Sequence, residues 1–121
     1  MPTIFIVDDD YDILLSLQAW FERKGYIVAT FDNGHNLISS IQERKPHLVL
    51  LDINLKGEDG RYICRNIKEQ VHYPIKVLLF SANPLALLTY QDNFADGIIN
   101  KPFDLETLEK KCMKLLSAHH K

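Results

Sequence analysis

The sequence predicts an α/β domain in which helices cover both faces of a doubly wound, five-stranded parallel sheet. Short apolar runs and amphipathic segments alternate five times along the 121 residues, as in a chain of βα units. The strand candidates are continuous apolar runs, which are typical of parallel strands buried on both faces. Right-handed crossovers restrict such a chain to a doubly wound topology. No linker, repeat or low-complexity tract divides it, so we expect one domain spanning residues 1–121.

The strands are predicted where apolar, β-branched and aromatic residues run together. The first run, IFIV, leads without a break into three aspartates, and the third run, LVLL, is followed by another aspartate. The fifth run, GIIN, is the shortest. In chain order, the predicted strands are Thr3–Val7, Tyr26–Thr30, Leu48–Leu51, Ile75–Phe80 and Gly97–Asn100.

Helices are predicted between and after the strands, over residues 11–24, 34–44, 60–70, 84–92 and 104–117. The last helix has the clearest pattern, because its apolar residues share one face. Asp104 is predicted to cap its N-terminus, and lysines gather toward its C-terminal half, where the helix dipole favours cations. The apolar face consists of Leu105, Leu108, Cys112, Leu115 and Leu116.

Composition excludes several classes of function. The formal net charge is -2, so no basic surface favours nucleic-acid binding. The apolar runs are too short for a membrane span, and the N-terminus lacks the features of a secretory signal, so we expect a cytoplasmic protein. Cys64 and Cys112 form no CxxC pair and are predicted to be thiols of the core. The five histidines have no partner at metal-binding spacing.

Polar residues follow four of the predicted strands. Asp8 and Asp9 follow the first strand, Asp52 the third, Ser81 the fourth and Lys101 the fifth. Taken singly, each is most often a helix cap, a turn residue or a solvated charge. Ligands of doubly wound sheets, however, bind beyond the carboxyl ends of the strands. The coincidence of five polar residues at one edge therefore favours a site.

The charges at this edge indicate its chemistry. Clustered carboxylates raise one another's pKa values unless a cation intervenes. Mg²⁺ suits a site with few carboxylates and several waters, and we predict that Asp8, Asp9 and Asp52 hold it. A carboxylate beside such an ion can act as a nucleophile toward a phosphoryl group. Lys101 would then neutralise phosphoryl oxygens and Ser81 would donate its hydroxyl to one. Asp10 and Asp12 are instead assigned to the start of the first helix.

Four stretches, VDDD, LLDINLKGEDG, LLFSA and INKPFD, resemble the receiver domain of two-component response regulators over essentially the whole chain. The resemblance implies a flavodoxin-like sheet of strand order 2-1-3-4-5. It implies that Asp52 accepts the phosphoryl group, that Ser81 is the family's hydroxyl residue and that Lys101 is its invariant lysine, followed by a cis bond to Pro102.

The resemblance also implies a set of magnesium ligands. The carboxylates of Asp9 and Asp52 and the backbone carbonyl of Asn54 would bind Mg²⁺ directly, and Asp8 would act through a water. A phosphohistidine of a sensor histidine kinase or of a histidine phosphotransfer protein would be the donor. The receiver would catalyse its own phosphorylation and dephosphorylation without being an enzyme in the ordinary sense.

The implied output is a change of conformation that controls a partner or a C-terminal output domain. The output face would be formed by the helix at 84–92, the strand at 97–100 and the helix at 104–117, and it could also support a dimer. Three departures from the family pattern concern this output side. Ile98 stands where the family has Tyr or Phe as its rotameric switch, the interval from Ser81 to Lys101 is slightly short, and Lys56 replaces a common proline.

Three other functions remain open from the residues. A phosphatase of the haloacid dehalogenase type also uses an aspartate nucleophile with Mg²⁺, but it needs a second aspartate where this chain has Asn54, and it needs a cap domain. A pseudo-receiver that binds partners without phosphorylation is suggested only by Ile98 and the short interval. A flavodoxin-like electron carrier would need a hydroxyl-rich phosphate loop after the first strand, where the sequence has aspartates.

Overall fold

The computed structural model describes residues 2–85, 88 and 94–117, and these form a five-stranded parallel sheet with helices on both faces. The sheet order is β2-β1-β3-β6-β7. A small antiparallel hairpin, β4 with β5, lies outside this sheet, so the order confirms the predicted 2-1-3-4-5 arrangement. The strands are β1 Thr3–Val7, β2 Ile27–Phe31, β3 Leu48–Asp52, β4 Asn54–Leu55, β5 Glu58–Asp59, β6 Lys76–Ser81 and β7 Gly97–Asn100.

The helices in the described ranges are α1 Tyr11–Arg23, α2 Leu37–Arg44, α3 Gly60–Gln70 and α4 Leu105–Ser117. Most of the helix predicted at 84–92 lies outside the described residues, which include only positions 84, 85 and 88 of it. None of the helices found in these ranges has both the length and the apolar character that crossing a membrane would require.

Several predicted strand boundaries are wrong by one residue, since β2 spans Ile27–Phe31, β3 ends at Asp52 and β6 spans Lys76–Ser81. Two boundaries differ for identifiable reasons. The second strand begins at Ile27 instead of Tyr26, because the Tyr26 amide still donates to the Phe21 carbonyl at the end of α1. The second helix begins at Leu37 instead of residue 34. Asn36, immediately before it, has a left-handed φ of 62°, which is incompatible with helical backbone at that position.

The core consists of two apolar layers, one on each face of the sheet. Alternate residues of the strands point to opposite faces, so Phe5 and Val49 belong to one layer while Ile4 and Leu48 belong to the other. Helices α2 and α3 cover the first layer, and α1 and α4 cover the second. Both cysteines are buried thiols, and burial raises the pKa of each to about 12, which fits their predicted place in the core.

Helix caps fix the segments that leave the sheet. Asp10 caps α1, where its side chain accepts hydrogen bonds from the amides of Asp12 and Ile13. Asp104 accepts a 2.7 Å hydrogen bond from the amide of Thr107 at the start of α4. Both aspartates were assigned to helix starts from the sequence, and both assignments are confirmed. The caps separate these acids from the carboxylates that remain at the sheet edge.

Candidate functional site

The polar residues predicted to converge do meet at the carboxyl edge of the sheet. Asp8 follows β1, Asp52 ends β3, Ser81 ends β6 and Lys101 follows β7. Since β1, β3, β6 and β7 are consecutive neighbours in the parallel sheet, their ends lie side by side. Asp8 and Ser81 are fully buried and Asp52 is 4% exposed, so this edge forms a recessed polar site beneath the surface.

Three carboxylates form the acidic part of the site. One oxygen from each of Asp8, Asp9 and Asp52 lies within 4.8 Å of the others. Asp9 is the most accessible of the three, and its Oδ2 accepts a 3.0 Å hydrogen bond from the amide of Lys56 in the β4–β5 hairpin. The Oδ1 of Asp8 accepts a 2.8 Å hydrogen bond from the amide of Asp10. Backbone amides therefore hold the side chains of Asp8 and Asp9 in place.

Lys101 is the cation that faces this cluster. Its Nζ donates to Asp8 Oδ2 at 2.8 Å and to Asp52 Oδ2 at 3.1 Å. The same ammonium lies 5.0 Å from the centre of the Phe80 ring, which forms an apolar wall beside it. The amide of Lys101 also donates to the carbonyl of Ser81. One ammonium thus partly neutralises two of the three carboxylates, Asp8 and Asp52. Hydrogen bonds of both its backbone and its side chain fix the position of Lys101.

The pKa values in this cluster follow from burial and charge. Burial raises the pKa of Asp52 from 3.8 to about 6, and the nearby Asp8 also raises it, while hydrogen bonds from the Asn54 amide and the Lys101 ammonium oppose the shift. Burial alone would lower the pKa of Lys101, but the hydrogen bond to Asp8 and the charges of both aspartates raise it overall. Asp52 is consequently ionised at neutral pH but unfavourably so, and Lys101 remains an ammonium.

The hydroxyl of Ser81 accepts two hydrogen bonds. One comes from the amide of Asn83 at 3.0 Å, and the other comes from the side-chain Nδ2 of Asn54 at 3.2 Å. The backbone amide of Asn54 also donates to Asp52 Oδ1 at 3.1 Å. Asn54 is itself exposed, so it lies at the mouth of the site above the buried hydroxyl.

The backbone around Asp52 is held by close packing that only glycine permits. A Cβ at Gly60 would lie 2.2 Å from the carbonyl oxygen of Asp52. The Gly60 amide donates a 2.7 Å hydrogen bond to the carbonyl of Ile53, and Ile53 in turn donates to the carbonyl of Phe80. This packing explains why the predicted turn LKGEDG brings α3 so close to the end of β3. It also ties the segment after Asp52 to β6.

The remaining residues singled out in the sequence also have definite places. The Lys101–Pro102 peptide bond is cis, as the resemblance implied. Ile98 is half-buried in β7, pairs with Leu79 and packs against the core layer under α2 and α3. Lys56 is exposed in the β4–β5 hairpin, and it contacts the site through its backbone amide, which donates to Asp9.

Several contacts of the site were not predicted from the sequence. Among them are the hydrogen bond from the Asn54 side chain to Ser81 and the one from the Lys56 amide to Asp9. From the sequence, Asn54 is predicted to offer its backbone carbonyl to Mg²⁺, and its side chain enters only the argument against a phosphatase. Its place two residues after Asp52 was the available signal, since a short polar side chain there can reach a neighbouring strand end. For the Lys56 amide the sequence offers no signal, because any residue except proline could supply it.

The donor set fits a hard divalent cation. All three clustered side chains are carboxylates, which are the ligands that Mg²⁺ and Ca²⁺ prefer, and the half-exposed Asp9 leaves room for water. Burial raises the pKa of Asp52 and the charge of Asp8 raises it further, so the ammonium of Lys101 leaves part of the repulsion between these carboxylates uncompensated. A cation bound here would relieve that repulsion, and a phosphoryl group could share the same ion.

Comparisons with known proteins point to one family. Residues 4–113 match the model of the response regulator receiver domain. The transcriptional regulatory protein AfsQ1 of Streptomyces coelicolor is 28% identical over 116 residues, which are 96% of this chain and 52% of that protein. The chain therefore spans about half the length of this relative.

Solved structures agree on the fold. The response regulator protein TrrA of Thermotoga maritima, solved in complex with magnesium and beryllium fluoride, is 27% identical with a TM-score of 0.86, over 95% of this chain and 99% of that one. A CheY-like receiver domain protein of Methanospirillum hungatei has a TM-score of 0.91 at 24% identity, over 99% of this chain and 97% of that one.

Proposed function

Because the chain belongs to the response regulator receiver domain family, we propose that Asp52 accepts a phosphoryl group and that its phosphorylation changes the conformation of the domain. The observation that carries this proposal is the setting of Asp52. Its buried carboxylate lies among two further acids and within 3.1 Å of a lysine ammonium, at the edge where the strands of such a sheet present their ligands.

Asp52 is the nucleophile of the proposed reaction. Its pKa of about 6 leaves it mostly ionised at neutral pH, so no general base is needed. A carboxylate oxygen attacks the phosphorus of a phosphohistidine, the new O–P bond forms as the N–P bond breaks, and the imidazole nitrogen leaves with the electron pair. Hydrolysis of the resulting acyl phosphate by water regenerates the carboxylate and releases inorganic phosphate.

Mg²⁺ is the proposed cofactor, and Asp9, Asp52 and the backbone carbonyl of Asn54 are its proposed ligands, with Asp8 acting through a water. When bound, the ion would supply the charge stabilisation that phosphoryl transfer requires. The fit of three carboxylates to a hard cation supports this assignment. The magnesium and beryllium fluoride bound to the related TrrA also support it.

Lys101 and Ser81 have roles in stabilising the phosphorylated state. Lys101 already donates to Asp52 Oδ2, and after transfer the same ammonium can donate to a phosphoryl oxygen as a compact point charge. Ser81 keeps its hydroxyl proton available, because both hydrogen bonds to its oxygen use it as an acceptor. That proton would be donated to a second phosphoryl oxygen, which would draw β6 toward Asp52.

The proposed partners follow from the chemistry. A sensor histidine kinase or a histidine phosphotransfer protein would supply the phosphoryl group, and a separate partner or a linked output domain would read the change of conformation. The relation to AfsQ1, a transcriptional regulatory protein about twice as long, supports a linked output domain. The phosphatase and electron-carrier alternatives are not retained, since the chain belongs to a signalling family.

Phosphorylation of the isolated chain tests the proposal. With Mg²⁺ and phosphoramidate, intact-mass spectrometry should detect one added phosphoryl group that is lost in base and retained in acid. Asp52→Asn should abolish it. Asp10→Asn is the matched control, because Asp10 caps α1 and asparagine caps a helix equally well; this variant should be phosphorylated normally. Equal incorporation into Asp52→Asn would contradict the assignment.

A further inference from the structure

The side chain of Asn54 connects the phospho-accepting aspartate to the buried hydroxyl. Its backbone amide donates to Asp52 Oδ1 at 3.1 Å, and its side-chain Nδ2 donates to Ser81 Oγ at 3.2 Å. Ser81 is fully buried, whereas Asn54 is exposed. Asn54 is thus an exposed residue whose side-chain amide donates a hydrogen bond to a buried hydroxyl group.

The geometry at Ser81 determines the direction of its proton. A hydroxyl oxygen has two acceptor positions and one proton to donate. The amides of Asn54 and Asn83 occupy both acceptor positions, at 3.2 and 3.0 Å. The proton must then point in the third tetrahedral direction, away from both amides. Accepting two hydrogen bonds also polarises the O–H bond and makes Ser81 a stronger donor.

We propose that the side-chain amide of Asn54 is a positioning residue that orients the Ser81 hydroxyl as a donor to the phosphoryl group on Asp52. This inference rests on the proposed function, since it assigns a role within the same site. The hydrogen bond couples the segment after β3 to the last residue of β6 through a side chain. Displacement of the loop at Asp52 is thereby transmitted to Ser81.

This coupling also has a place in the output of the domain. Ile98 has no aromatic ring or hydroxyl with which to follow Ser81, and it packs against the core layer under α2 and α3. The Asn54–Ser81 contact is a polar link between the phosphorylation site and β6, the strand that pairs directly with β7. Movement of Ser81 toward the phosphoryl group is therefore expected to depend on the amide of Asn54.

A double-mutant cycle tests the inference. The variants are Asn54→Ala, Ser81→Ala and the combination, and the measured quantity is the dissociation constant of beryllofluoride at saturating Mg²⁺. Asn54→Ala should weaken binding by about three- to tenfold in the protein that retains Ser81, the range expected for one hydrogen bond. In the Ser81→Ala protein, the same substitution should change binding by less than about twofold, because the oriented hydroxyl is absent.

Two further measurements separate positioning from a general structural effect. The Mg²⁺ dissociation constant without beryllofluoride is measured for each variant, so that beryllofluoride binding is compared at saturating Mg²⁺ in all of them. In ¹⁹F NMR spectra, one bound fluorine resonance should shift in Asn54→Ala and should show no further shift when Asn54→Ala is added to Ser81→Ala.

Opposite results would overturn the inference. If Asn54→Ala weakened beryllofluoride binding equally in the wild-type and the Ser81→Ala proteins, Asn54 would act independently of Ser81. Tighter beryllofluoride binding in Asn54→Ala would show that the amide restrains the resting state instead of preparing the hydroxyl. A wild-type protein that binds no beryllofluoride with Mg²⁺ would instead contradict the proposed function itself, and the inference with it.

Discussion

Replacing Asp52 with asparagine should stabilise the metal-free protein at neutral pH, although it removes the proposed nucleophile. Asp52 is 4% exposed and lies beside Asp8, and burial raises the pKa of its carboxyl group from 3.8 to about 6. Folding therefore makes its ionisation less favourable. Asparagine has nearly the same shape and no charge, so Asp52→Asn removes this cost while it keeps most of the packing.

The magnitude of the gain in stability follows from the rise of the Asp52 pKa from 3.8 to about 6. At about 1.4 kcal/mol per unit, full ionisation of Asp52 costs the folded state up to ~3 kcal/mol. The raised pKa already includes the attraction of Lys101, so loss of that ion pair does not cancel the gain. Because the pKa is higher in the folded state, the cost is absent below about pH 4. It develops as the pH rises from about 4 to about 6 and is constant above that range.

Urea denaturation in EDTA at pH 4 and at pH 7 measures the effect. Asp52→Asn should raise the free energy of unfolding by ~1–3 kcal/mol at pH 7, and the gain should nearly vanish at pH 4. Asp59→Asn is the control, because the pKa of Asp59 is shifted in the opposite direction to that of Asp52. Its pKa is lowered by a hydrogen bond from Arg61, so neutralising it should not stabilise the protein. If Asp52→Asn raised the free energy of unfolding equally at both pH values, or lowered it at pH 7, the reasoning would be refuted.

Other substitutions test the roles of neighbouring residues. Asp9→Ala should weaken Mg²⁺ binding at least tenfold, because it removes a proposed ligand. An NMR titration with Mg²⁺ that is unchanged in this variant would show that Asp9 is not a ligand. Lys101→Ala should lower the melting temperature of the metal-free protein, since it leaves two buried carboxylates without their ammonium. Saturating Mg²⁺ should reduce the difference in melting temperature between this variant and the wild type. A difference that does not change with Mg²⁺ would contradict this prediction. Ile98 should keep its rotamer on beryllofluoride binding, because it is β-branched; methyl NMR would reveal an inward flip.

The sheet and the residues at its edge could be predicted because buried strands have a simple sequence pattern. An unbroken apolar run that ends in Asp8 or Asp52 marks both the strand and the point at which it leaves the core. Since parallel strands end at the same edge, residues distant in sequence are brought together by topology alone. The same reasoning placed Ser81 and Lys101, and the structure brings both to that edge.

Contacts made by the loops could not be predicted in the same way. The late start of α2 depends on the left-handed Asn36 and on the Gly34 amide, which donates to Glu58 in the β4–β5 hairpin. The inward hydrogen bond of Asn54 depends on the same hairpin. These contacts depend on how the loops lie together in the folded chain, and no local sequence pattern marks them, because several residue types could occupy each position. Their prediction requires the folded backbone.

Chemical localisation of the phosphoryl group tests the central claim most directly. The phosphorylated protein is treated with borohydride, which reduces an aspartyl phosphate to homoserine, and the digested peptides are sequenced by tandem mass spectrometry. Homoserine should appear at position 52, in the peptide that contains the end of β3, and only after incubation with phosphoramidate and Mg²⁺. Homoserine at Asp8 or Asp9, or none at position 52 in protein that carries the added mass, would contradict the claim.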